Sequence, residues 1–396
     1  MIDKLFYKTL LKKAFSDPVH ITFWDGETVE YGEGEPLFHL RFHDVIPKGD
    51  LLQDPTMTFG EAYMDGIIEV EGDLKEAVAS MYRSQEGFLG NSKFTSKLLK
   101  KISNTTKRSK ENISFHYDIG NDFYKLWLDD TMTYSCAYFR TPEDSLKTAQ
   151  QNKVAHILKK LNLQKGHRLL DIGCGWGELM ITAAKRYGVK ATGITLSEEQ
   201  YAQIQKRIKK EQLTDVVEVQ LMDYRELKKQ EFDRIVSVGM LEHVGKDHLL
   251  DYFQTVRELL TDGGLSVLHS ITSPQEGATN AWIDKYIFPG GYVPSWSELV
   301  NHISENHFHL IDYENLRRHY ARTLEIWADN FENALEEIKK TKDERFIRMW
   351  RLYLNACSAS FQTGNIDLSQ FIFTKGINNS IPWTREYMYS NQQPSV

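Results

Sequence analysis

From Thr148 onward, compact apolar runs alternate with longer stretches in which apolar and polar residues recur at helical spacing. The runs "HRLLDI", "KATGIT", "VVEVQL", "DRIVSV" and "LSVLHS" predict strands, and the stretches between them predict helices. Parallel strands need crossover connections, so the alternation predicts five strands in a doubly wound sheet covered on both faces. Two later runs, "FHLIDYENL" and "LSQFIFTKG", predict closing strands. Pro274 to Glu305 and Arg322 to Gln362 are mostly helical in pattern and predict additions that cap the strand ends.

Ahead of this region the pattern changes. "VHITFWDG" and "LFHLRFHD" are strand-like, with turn signals at Asp25-Gly26 and Gly32 to Pro36, and predict a small mixed domain over 1–92. Asp73 is placed to cap a helix that begins near Leu74. The basic stretch 93–112 reads as a linker, and 113–396 as a single domain carrying additions near 274–305 and 322–362.

Composition narrows the class. With 396 residues, 41% hydrophobic and 26% charged, the chain is globular in character and long enough for one large domain and a smaller one. No run approaches the roughly 18 apolar residues of a membrane span. "MIDKLFYKTLLKKAF" lacks the apolar core of a secretory signal, so a cytoplasmic protein is expected. Cys136, Cys174 and Cys357 are too scattered for a disulfide framework, a zinc site or an iron–sulfur cluster, and metal-free chemistry is expected. A net charge of -7 argues against nucleic-acid binding by the whole chain, yet Lys93 to Lys110 holds seven basic residues and no acidic one.

The first strand-to-helix turn reads "LLDIGCGWGELM". Asp171 closes the strand, and Gly173, Gly175 and Gly177 let the backbone approach a ligand and let the next helix sit tightly on the strand. Dinucleotide enzymes show G-x-G-x-x-G and an acid at the second strand end, whereas "TGITLSEEQ" has none at its tip. Cys174 reads as a packing residue in the turn, and Trp176 either flanks a ligand or seals the turn.

This pattern resembles class I S-adenosylmethionine-dependent methyltransferases. The resemblance implies an α/β, Rossmann-like sheet with a helical cap, plus the small mixed N-terminal domain. It places Asp171, Gly173 and Gly175 around the methionine end of the cofactor, and Thr195, Leu196 and Gln200 at ribose and backbone contacts. Asp223 and Tyr224 of "LMDYREL" fall beside adenine, with a helix or turn cap the lesser reading of Asp223.

Further motifs sharpen the likeness: "FHYDIGNDFYKLWLDDTMTYSCAYF", "DIGCGWG", "GITLSEEQ", "GMLEHVG", "VLHSIT" and "RHYARTLEIWADNF". Together they resemble the cyclopropane-fatty-acyl-phospholipid synthase family and the related mycolic acid cyclopropane synthases. "FGEAYMDGIIEVEGDL" also resembles the N-terminal domain of the bacterial phospholipid enzymes. Tyr134 and Ser135 then join the implied cofactor contacts. The implied reaction adds the sulfonium methyl carbon to a cis alkene of a phospholipid acyl chain, after which a base removes a methyl proton and the three-membered ring closes.

In that family bicarbonate is the base. The matching positions are Glu242, His269 and Tyr320 through side chains, and Cys136 and Ile271 through backbone amides. Each also has an ordinary reading: Glu242 as a helix cap, His269 as a core histidine, Tyr320 as packing. His243 is expected to face elsewhere or to support the Glu242 backbone, and not to be the base. Aromatic faces suit a passing cation without trapping it, and Tyr117, Phe123, Tyr134, Tyr138, Trp282, Tyr286, Phe288, Tyr292 and Trp296 are numerous enough to line an acyl tunnel or simply to pack.

A phospholipid substrate implies a visit to the membrane surface, peripherally and on its inner face. Two contacts are open: the basic run, and the N-terminal stretch in which Leu5, Phe6, Leu10, Leu11 and Phe15 alternate with lysines. A homodimer is a family expectation. The alternatives are a lipid C-methyltransferase without ring closure and a non-catalytic lipid-binding protein. Nucleic acid is not an expected partner.

Overall fold

The computed structural model describes residues 2–84, 119–227, 230–277 and 279–390. The basic linker expected at 93–112 and Tyr117 lie outside them. The described residues fall into two compact units. The first is drawn from Met1–Lys100, Gly277–Pro289 and Tyr320–Ile366, the second from Lys101–Glu276, Gly290–His319 and Asp367–Val396.

The first unit contains four strands, β1 (Val19–Thr22), β2 (Thr28–Tyr31), β3 (Phe38–Phe42) and β4 (Ile68–Gly72), in the order β2-β1-β3-β4. Both strands expected here are present. β2 and β4 carried little signal because they are sheet edges: Ile68 is the only fully buried residue of the two. Val19, Ile21, Phe38, Leu40 and Phe42 form a core with Tyr7 and Leu11 of the helix Ile2–Ala14. That helix therefore uses its apolar face on its own sheet. Asp73 caps the helix Leu74–Arg83, its Oδ1 accepting from the amides of Lys75 at 2.8 Å and Glu76 at 3.2 Å.

The two units cut across the additions expected near 274–305 and 322–362. The helix Glu344–Thr363, within the addition assigned to the catalytic domain, packs on Leu74–Arg83 and Pro55–Met64. The cause is local: Arg348 donates to the carbonyl oxygens of Tyr63 and Ile68 and lies over the Tyr63 ring. The addition near 274–305 is divided too, with Trp282 buried in the first unit and Trp296–Glu305 in the second.

The second unit is built on seven strands, β5 (Arg168–Ile172), β6 (Lys190–Thr195), β7 (Val217–Leu221), β8 (Phe232–Val238), β9 (Leu260–Thr272), β10 (Phe308–Asn315) and β11 (Asp367–Lys375). Their order is β10-β11-β9-β8-β5-β6-β7. β5 to β9 are mutually parallel, and β11 and β10 close the edge antiparallel. All seven strands match the apolar runs of the sequence. Alternate residues serve opposite faces: Leu169 packs with the helices Leu146–Lys160 and Glu178–Tyr187, while Leu170 and Ile172 pack with Leu249–Leu259. Strand order reverses between β5 and β8, and connections that leave a parallel sheet in opposite directions open a crevice at its carboxyl edge.

Candidate active site

The crevice at the β5 and β8 ends is an open cleft, lined by the turn after β5. Gly173 has φ 78°, and a Cβ there would stand 2.8 Å from the Cβ of Met240. Only glycine satisfies both the backbone and the contact. Gly177, at φ 83°, starts the helix Glu178–Tyr187. Cys174 is buried, and burial pushes its thiol well up, as suits a packing residue. Trp176 donates from Nε1 to Asn121 Oδ1 at 3.0 Å and is almost fully buried in the cleft wall.

All the expected cofactor positions line this one cleft: Tyr134, Ser135, Asp171, Gly173, Gly175, Thr195, Leu196, Gln200, Asp223 and Tyr224. Asp171 is 2% exposed, and burial raises its carboxyl to about 7 against the counteracting pull of Lys153. Thr195 Oγ1 donates to Gln200 Oε1 at 2.7 Å and accepts from the Ser197 amide at 3.1 Å, fixing the loop after β6. Asp223 does cap a turn, accepting from the Arg225 amide at 3.0 Å. The Arg225 guanidinium grips both its oxygens, at 2.8 and 2.7 Å. Capping and lining the cleft are therefore compatible.

A second cluster stands beside the first. β8 runs parallel to β9 with Val238 opposite His269, and the turn after β8 carries Glu242 to the end of β9. Glu242 Oε1 accepts from the Ile271 amide at 2.6 Å, while Oε2 is buried with no hydrogen-bond partner among the described residues. Burial outweighs that bond, together with the pull of the Glu242 amide and the Ser270 hydroxyl, and raises the carboxyl to about 7. The Ile271 amide, expected to face an anion, is thus occupied by Glu242 here. His269 is 1% exposed, accepts at Nδ1 from Gln370 Nε2 at 2.9 Å, and is held neutral chiefly by burial. His243, expected to face elsewhere, instead lines the cleft, and burial lowers it to about 4, too weak a base to compete near neutrality.

Cys136 is fully buried in the same unit. Tyr320 falls in the first unit, half-buried against Phe361, with ring centroids 4.6 Å apart. Of the aromatic residues expected around an acyl chain, Tyr134 lines the cleft, Tyr138 stacks on His156 and His319, and Tyr292 bonds Glu298.

Sequence reasoning missed Lys153, which lines the cleft and donates from Nζ to Ser135 Oγ at 2.9 Å. Burial lowers its ammonium to about 8. The signal was available: Lys153, His156 and Lys160 interrupt the apolar stripe of the helix Leu146–Lys160 at helical spacing.

Residues 104–371 match the family described as mycolic acid cyclopropane synthetase, and residues 6–93 match a domain of unknown function. The chain belongs to the mycolic acid cyclopropane synthetase family. Among its relatives, a probable fatty acid methyltransferase of Pseudomonas putida is 39% identical over 94% of this chain and 96% of its own. The cyclopropane-fatty-acyl-phospholipid synthase of Escherichia coli K12 is 38% identical over 84% of this chain and 86% of its own. Solved structures of the family superpose as well. The mycolic acid cyclopropane synthase CmaA1, complexed with SAH and CTAB, is 33% identical with a TM-score of 0.64, covering 67% of this chain and 98% of that one. The family assignment and the cleft agree on an S-adenosylmethionine-dependent methyltransferase fold.

Proposed function

We propose that this chain transfers the methyl carbon of S-adenosylmethionine to the cis double bond of unsaturated phospholipid acyl chains and closes a cyclopropane ring, with bicarbonate as the base. The observation that carries the proposal is the Glu242 carboxyl group. It is anchored by one oxygen and buried without a partner at the other, at the strand end that borders the cofactor cleft. A buried polar atom without a partner calls for a ligand that supplies one.

S-adenosylmethionine supplies an electrophilic methyl on a sulfonium. Asp171, Thr195 and Gln200, with the glycine turn, would hold its methionine and ribose parts, and Asp223 and Tyr224 its adenine end. The substrate alkene donates its π pair to that carbon as the carbon–sulfur bond breaks. Loss of a proton from the transferred methyl then leaves the carbon–hydrogen pair to close the ring on the neighbouring cation. Bicarbonate would supply the base for that proton, its own hydroxyl facing the bare Glu242 oxygen. His269 and the Cys136 amide are its other proposed ligands within this unit.

Neither His243 nor His269 competes for the role, since burial disfavours the charged form of both. Substrate access would be peripheral: among the described residues no helix is long and apolar enough to cross a membrane. A homodimer in the cytoplasm is part of the same reading. Incubation with unsaturated phospholipid vesicles and labelled S-adenosylmethionine should give acyl chains heavier by one CH2 and lacking the alkene. A labelled chain with a methyl branch and no ring would favour the C-methyltransferase reading suggested by the Pseudomonas relative's name. Unlabelled lipid would remove catalysis on this substrate.

A further inference from the structure

Behind His269 lies a set of polar residues that no part of the proposed chemistry uses. β11 pairs with β9 so that Gln370 stands directly opposite His269, and both are buried. Gln370 Oε1 accepts from the Lys160 ammonium at 2.7 Å, and Gln370 Nε2 lies 2.9 Å from His269 Nδ1. Lys160 is fully buried and also pairs with Glu314, which bonds His156 Nε2 at 2.7 Å. Burial alone would push the Glu314 carboxyl up, but His156 and Lys160 outweigh it and hold it down to about 2.

This geometry leaves no freedom in the amide. An ammonium carries only donors, so the amide oxygen must face Lys160 and its NH2 must face the imidazole. A ring nitrogen that meets an NH2 donor must present its lone pair. His269 Nδ1 is therefore an acceptor, and the ring proton resides on Nε2.

We infer that Lys160 and Gln370 are positioning residues that lock His269 in the neutral Nε2–H tautomer, so that His269 serves the reaction as a hydrogen-bond donor and never as its base. This deepens the proposed function: with Nδ1 engaged and Nε2 protonated, the imidazole has no lone pair for the methyl proton, and an anion accepting from Nε2–H is left to take it. The inference about the tautomer stands on the hydrogen bonds alone. Its consequence for the reaction rests on the bicarbonate reading.

The test is histidine 15N resonances in the full-length protein, with His269 assigned by the signal lost in His269→Asn. Nδ1 should give the lone-pair type of resonance and Nε2 the protonated type, unchanged when bicarbonate is removed. In Gln370→Glu an acceptor replaces the NH2 donor, and the proton should move to Nδ1 or the ring become charged. Turnover should then fall on the order of 100-fold, as for loss of an oriented donor, with affinity for S-adenosylhomocysteine within about twofold. A protonated Nδ1 in the unmodified protein, or a Gln370→Glu variant with the tautomer unchanged, overturns the inference. A rate indifferent to bicarbonate overturns the base assignment and leaves the tautomer result intact.

Discussion

A carboxyl group held away from water resists ionisation, and at Glu242 that resistance is measurable without substrate. Its folded value of about 7 stands above the ordinary 4.5, so the unfolded chain releases the proton first as pH rises. The folded state therefore has its full advantage from this group below about pH 4.5 and loses it as pH passes 7. Glu242→Gln removes the titration. The ligand-free variant should melt above the unmodified protein at pH 8, by an amount reflecting on the order of 1–3 kcal/mol, and should converge with it near pH 4.5. Differential scanning calorimetry at the two pH values checks the sign. The same variant should lose on the order of 100-fold or more in turnover while binding S-adenosylhomocysteine nearly normally, which assay and calorimetric titration separate. Full activity in the variant would end the assigned role.

Between elements, close approach decides effects that propensity alone would reverse. Gly60 sits inside the helix Pro55–Met64, where alanine ordinarily gains about 1 kcal/mol. Here a Cβ would fall 2.4 Å from the Trp282 ring, which is 4% exposed and donates from Nε1 to Met64 Sδ at 3.2 Å. Gly60→Ala should therefore destabilise the protein, by about 1–3 kcal/mol, and chemical denaturation should show a lower midpoint. The strand framework and the glycine turn were legible in the sequence because buried strands leave contiguous apolar runs and a ligand-binding turn needs its glycines close together. Edge strands β2 and β4 were not, since half-exposed positions accept polar residues. The packing of the Glu344–Thr363 helix on Leu74–Arg83 was not legible, because an apolar face does not name its partner. The anchoring of Glu242 by Ile271, and of His269 by Gln370, depends on register between strands distant in sequence, which periodicity does not encode.

At the scale of the whole molecule, the open question of the sequence was how a chain of net charge -7 reaches an anionic bilayer. The fold removes most of one answer. Tyr7, Leu11 and Ala14 of the N-terminal helix are buried, and Phe6, Leu10 and Phe15 pack against the same core; among the residues of the helix whose side chains are described, Leu5, 68% exposed, is the outward apolar one. A single leucine is a weak anchor, so the membrane visit proposed above is argued from the charge of the basic run, which lies outside the described residues. Each lysine near an anionic surface contributes about 1 kcal/mol. Neutralising Lys97, Lys100, Lys101 and Lys107 together should weaken sedimentation with anionic vesicles by roughly 100-fold or more, with the difference shrinking as salt screens the surface. Leu5→Ser should change it by about tenfold or less. Activity on detergent-dispersed substrate should survive both changes. If the lysine variant keeps its vesicle affinity while Leu5→Ser loses it, the N-terminal helix is the contact and the run is only a linker.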